Sequence, residues 1–168
     1  MTGSVQILGT GQLVELSRRL RMAGGPRLRQ NTARRIRRAA EPLHADLQRA
    51  IRSVQLPGSG RRTRGGPSPT ERPLRATLAG AVRISVRSGA SPGARVWVDR
   101  SRLPADLRNM PGVIDEGRVR HPVFNNRKRW ATQWARPTGW WSNTVEAGMP
   151  RMRAEIERVL GDVRRDLQ

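Results

Sequence analysis

The chain has 168 residues, a formal net charge of +20, 36% apolar and 4% aromatic residues, and no cysteine. That length fits one domain with extended arms, the apolar content allows only a small core, and the missing thiols exclude disulfides and thiolate metal sites. The positive charge is arginine except for Lys128, and an excess of this size points to a polyanionic or acidic partner drawn in by the summed field.

Residues 1–9 read as an unstructured or strand-like lead. Leu13, Leu16 and Leu20 then recur at helical spacing until Gly24-Gly25-Pro26 ends the run. A much longer helical pattern follows from Pro26 to about Val54, with Leu28, Thr32, Ile36, Ala39, Leu43, Leu47 and Ile51 on one stripe. Pro42 lies inside it, so a kink or break is expected near residues 39–41. Arg29, Arg34, Arg35, Arg37 and Arg38 fall largely off the stripe, on a face that is either solvated or set against nucleic acid.

Residues 55–73 are rich in proline and glycine and carry Arg61, Arg62 and Arg64 at their centre. They read as a flexible loop that contacts DNA or an acidic partner through those arginines, or is simply disordered. The period then changes to two. Val82, Ile84 and Val86 alternate with Arg83, Ser85 and Arg87, and residues 95–98 supply the return strand of a hairpin, with Trp97 expected in the core. Residues 100–117 read as a loop with at most one helical turn, and residues 118–123 as a further strand. The chain closes on an amphipathic helix starting at Pro150, whose stripe is Met152, Ile156, Val159, Leu160, Val163 and Leu167.

Residues 120–141 stand apart. They hold Phe124, Trp130, Trp134, Trp140 and Trp141 among five basic residues that include Arg127, and no acidic residue. Tryptophan and arginine are the types most enriched where a surface binds with high energy per residue, so Phe124, Arg127, Trp130, Trp134, Trp140 and Trp141 are the candidate interface residues. The competing reading has two or three indoles plugging the open end of a small domain. Pro122, Pro137 and Gly139 argue against one regular element running through the stretch.

Catalytic, cofactor and metal motifs do not emerge. His44 and His121 have no partner at ligand spacing, no HExxH, P-loop or GxSxG pattern occurs, and Asp115-Glu116 before a glycine reads as a turn. The chain is expected not to be an enzyme and to need no cofactor. It has no apolar run of bilayer length and no basic-then-apolar leader, so a soluble protein without a membrane partner is expected.

The order of elements, with Ala39-Ala40-Glu41-Pro42-Leu43 in the long helix, Pro73-Leu74-Arg75-Ala76-Thr77-Leu78 before the first strand, and His121-Pro122-Val123-Phe124-Asn125-Asn126-Arg127 followed by Trp130, Gln133, Pro137, Gly139 and Trp140-Trp141, resembles the gene-ten-like head–tail connector (neck, tail-completion) proteins of siphophages. The version it resembles is that of actinobacterial phages, which more often carries glycine at Asn125 or Asn126. The resemblance spans nearly all of residues 1–168 as one domain. It implies an α+β protomer: two N-terminal helices, the second long, then a small antiparallel sheet, extended loops and a C-terminal amphipathic helix. It also implies a homo-oligomeric ring, six-fold, in the neck of the virion and assembled in the host cytoplasm. Its partners there are the head-closure or adaptor ring, the tail terminator or tail tube, and the genomic DNA passing through the channel. The alternative is an arginine-rich nucleic-acid-binding protein. A channel that releases DNA should not grip it, so most arginines are expected to face acidic neighbours or solvent.

Overall fold

The structure is a computed structural model that describes residues 5–8, 18, 26–56, 73–87, 92–123 and 126–165. The stripe at Leu13, Leu16 and Leu20, the arginines of the 55–73 loop, Phe124 and Leu167 lie outside the described residues. The class is α+β, as expected.

The fold is built on helix α1 (Pro26–Ser53), which buries Thr32, Ile36, Ala39, Ala40, Leu43, Leu47 and Ile51. Its 28 residues form an uninterrupted helix, about 42 Å at the usual rise. The expected break at residues 39–41 does not form. Pro42 removes one donor and crowds the preceding turn, but Ala39, Ala40 and Leu43 are all buried around it, and packing on both sides of the proline holds the helix together. The C-terminus of α1 is closed from outside: Arg75 Nη1 donates to the carbonyls of Val54 (3.1 Å) and Arg52 (3.3 Å), which the helix itself leaves without partners.

Arg75 belongs to a short helix, α2 (Leu74–Gly80), which buries Leu78 and Ala79 and feeds the first hairpin. Strands β2 (Val82–Arg87) and β3 (Gly93–Val98) pair antiparallel, and β1 (Val5–Leu8) pairs with the other edge of β3, giving the order β1-β3-β2. One face of this sheet carries Val82, Ala94, Val96 and Val98 into the core. It is tied to α1 by His44, whose Nε2 donates to the Val82 carbonyl at 2.9 Å. Gln48 Nε2 donates likewise to Ala79 at 3.0 Å. Trp97 is not a core residue. It alternates out of phase with Val96 and Val98, is only half-buried, and has the Arg95 guanidinium 5.3 Å from its ring centroid.

Residues 100–117 are more helical than expected, with 3-10 turns at Arg100–Arg102 and Ala105–Leu107 and a one-and-a-half-turn helix, α3 (Met110–Asp115). Strands β4 (Arg118–Val123) and β5 (Asn126–Trp134) then form a second, two-stranded antiparallel sheet, separate from the first. The small sheet expected from the sequence is therefore two. Helix α4 (Ser142–Arg165) starts eight residues before Pro150, which sits inside it. It runs antiparallel to α1: Arg35 Nη2 donates to Asp162 near one end (2.5 Å), and Gly148 lies against Leu43 further along, where a β-carbon would meet Leu43 Cδ1 at 2.7 Å. Its stripe of Met152, Ile156, Val159, Leu160 and Val163 is buried, as the periodicity predicts.

Candidate docking surface

The aromatic stretch divides into two halves with opposite fates. Trp140 and Trp141 are 2% and 5% exposed and belong to the core, whereas Trp130 and Trp134 are 52% and 55% exposed.

The buried half is fixed by α3. The two indoles meet edge to face with centroids 5.7 Å apart, a favoured aromatic geometry, and Trp140 Nε1 donates to the Pro111 carbonyl at 3.0 Å. Asp115, at the end of α3, acts as an N-cap borrowed from another element. Its Oδ1 accepts from the backbone N–H groups of Trp141 (2.7 Å) and Ser142 (3.2 Å), its Oδ2 accepts from the Ser142 hydroxyl, and its carbonyl accepts from Gly139 N (2.8 Å). These bonds satisfy donors that the first turn of α4 leaves open, with a negative charge at its positive end. They explain why α4 begins at residue 142. Gly117 (φ 84°) and Gly139 (φ 71°) make the turns around this clamp, and a β-carbon on Gly117 would clash with Thr138 Cγ2. Asp115 is thus occupied structurally, and Trp140 and Trp141, both buried, belong to the core of the chain itself.

The exposed half is a ribbon. Arg118 pairs with Trp134, Arg120 with Thr132 and Pro122 with Trp130, so these six side chains share one face by strand alternation. The opposite face carries Val119, which is buried, with His121, Ala131 and Gln133 half-buried. His121 Nδ1 faces the Pro122 carbonyl at 3.2 Å, and its Nε2 is buried without a partner. On the outer face the Trp130 indole is pinned: its Nε1 donates to the Arg127 carbonyl (2.8 Å), and the Arg120 guanidinium lies 5.7 Å from the ring centroid. Between the pairs Pro122–Trp130 and Val123–Asn126 the register shifts, so Arg127, Lys128 and Arg129 form a basic bulge, all three exposed. Beyond the ribbon, Arg136 exchanges backbone hydrogen bonds with Gln55 (2.6 and 2.9 Å), joining it to the end of α1.

Of the expected interface residues, Arg127, Trp130 and Trp134 therefore come together on a solvent-facing ribbon, Trp140 and Trp141 face inward, and Phe124 lies outside the described residues. Arg118 and Arg120 were not singled out from the sequence. The alternation Arg118-Val119-Arg120 carried the signal, since it puts both arginines on one face of a strand.

A second basic feature lies where α1 and α4 meet. Leu28, Asn31, Thr32, Arg34, Arg35, Arg38 and Val163 line a cleft of about 280 Å³. Asp162 pairs with Arg35 of this cleft, and its carboxyl lies below the usual range because Arg165 donates to it and Arg35 adds a second cation. Asp99 is likewise held low, chiefly by the Ser101 hydroxyl. Among the described residues no group of three or more histidine, aspartate and glutamate side chains gathers as a metal site. No helix among them is long and apolar enough to cross a membrane. Comparison of the chain with protein-family models, curated proteins and solved structures finds no match.

Proposed function

We propose that the protein is a structural assembly component of a phage neck: a ring-forming head–tail connector that joins the head connector to the tail and lines the passage of the DNA. The observation that carries this reading is the pair of exposed indoles on the basic ribbon β4–β5. Two half-exposed tryptophans, one of them pinned by its own N–H, leave apolar surface in water that a partner would cover. All of the ribbon from residue 120 onward falls in residues 120–141, where the likeness to siphophage connectors is most specific. A small core is also natural in a protein that buries further surface between subunits.

The test is the mass of the purified chain by light scattering, across a concentration series at about 0.05 and 0.5 M salt, which brackets strong and weak screening. It is paired with head–tail joining by a Trp130→Ala/Trp134→Ala variant. A ring-sized species that survives high salt, with joining lost in the variant, is the expected result. Normal joining by the variant would defeat the docking reading.

The alternative is nucleic-acid binding by the arginine face of α1, favoured by the cleft at Arg34, Arg35 and Arg38. Under this reading a monomer would carry nucleic acid through purification and shed it steeply with salt. Arg61, Arg62 and Arg64, outside the described residues, would be further contacts to the nucleic acid under this reading.

A further inference from the structure

We infer that the outer face of the β4–β5 ribbon docks an acidic, extended protein segment, with carboxylates on Arg118 and Arg120 and apolar side chains on Trp130 and Trp134. This rests on the docking reading above and names the chemistry of its partner. The first ground is charge. Residues 117–141 contain no acidic side chain, while Arg118, Arg120, Arg127, Lys128, Arg129 and Arg136 are all exposed. The ribbon has no internal counter-ion in that span, so a partner carboxylate would meet cations that no neighbour within it neutralises.

The second ground is shape. Trp130 and Trp134 stand four residues apart on one strand face, about 13 Å at the rise of an antiparallel strand. That spacing is commensurate with alternate side chains of another extended peptide. A single nucleic-acid strand stacks successive bases on its aromatics, but here Thr132 separates the two indoles and Arg120 already lies over Trp130. Pro122, cross-strand from Trp130, widens the apolar shelf without adding a phosphate donor. The Trp130 N–H is already given to Arg127, so what this indole offers a partner is ring surface, held in place before binding. Such preorganisation lowers the entropy lost on docking.

The experiment is selection of a displayed library of short random peptides on the full-length protein, with an oligo(dT) strand measured in parallel. Recovered peptides are expected to combine Asp or Glu with apolar residues at alternating positions. Their affinity should fall about tenfold or more in Trp130→Ala/Trp134→Ala and in Arg118→Glu/Arg120→Glu. Denaturant unfolding of both variants confirms that they are folded. Peptides without acidic bias, or equal binding to the variants, overturn the inference. So does oligo(dT) binding that disappears with the two tryptophans, which would assign the ribbon to nucleic acid. If head–tail joining still requires Trp130 and Trp134 while the peptides lack acidic bias, only the partner's chemistry is wrong. If joining does not require them, the docking reading fails with it.

Discussion

Two pairs of tryptophans lie within twelve residues of one another and do opposite things. Trp140 and Trp141 close the core beneath α3, and Trp130 and Trp134 stand in solvent on a ribbon that projects its basic face outward. Residue type does not separate them. What does is the element each belongs to: the buried pair is adjacent in sequence and locked at the start of a helix by Asp115, while the exposed pair shares one face of a strand whose other face turns inward. An indole is therefore informative about function only once its backbone is known.

The difference can be broken most forcefully on the buried side. Trp140→Ala should destabilise the fold by about 3–5 kcal/mol, the range for removing a large buried aromatic. It also leaves the Pro111 carbonyl without its donor. Denaturant unfolding followed by circular dichroism would show it as a large fall in midpoint. A change no greater than that of an exposed residue would mean that Trp140 is not core.

Much of this arrangement was legible in the sequence. The stripe from Thr32 to Ile51 and the alternation at Val82, Ile84 and Val86 each named the buried face correctly, because period alone decides which side chains share a face. The aromatic stretch was legible only as a divided one: its prolines and glycine excluded a single element without locating the boundary. Two long-range effects were hidden. Pro150 suits a first helical turn, so the helix was expected to start there. The true start is set by a carboxylate 27 residues earlier, and no local pattern announces a cap borrowed from Asp115. Pro42 suggested a break for the same kind of reason, and burial on either side of it outweighed local preference.

That borrowed cap gives the next test. Asp115→Ala should lose about 1–2 kcal/mol, the upper range for a helix N-cap, because several donors at residues 141 and 142 lose their acceptor. Asp115→Asn keeps one oxygen acceptor and should recover part of the loss. Chemical denaturation of both, with hydrogen exchange at residues 139–146, checks it. Unchanged protection in Asp115→Ala would show that the tryptophan pair positions α4 without the cap.

The tie between α1 and the last turns of α4 is smaller and depends on pH. Arg165 and Arg35 hold the Asp162 carboxyl below its ordinary value, so the folded state binds its proton more weakly than the unfolded chain. The stabilisation is complete above the unfolded carboxylate pKa and is lost as pH falls through the depressed folded value. Because the pair is open to solvent the effect is modest and weakened by salt. Asp162→Asn should flatten the acid side of a stability-versus-pH curve relative to the unmodified chain. An identical slope in the two would remove this link from the account.

Smallest of all should be the effect of emptying the ribbon on the stability of the isolated chain. Trp130→Ala and Trp134→Ala remove side chains that are more than half exposed, and substitutions of that kind usually stay within about 0.5 kcal/mol. Arg120 loses a ring contact in the first of them, but an exposed cation–π pair contributes only ~0.5–1 kcal/mol, so the first variant should be marginally the weaker. The contrast with Trp140→Ala then becomes a functional measurement. A variant that unfolds like the parent but no longer binds the partner proposed for the ribbon has lost a surface and not a fold. A variant that unfolds early would instead mean that the outer indoles help hold β4 against β5, and their exposure would not mark a docking face.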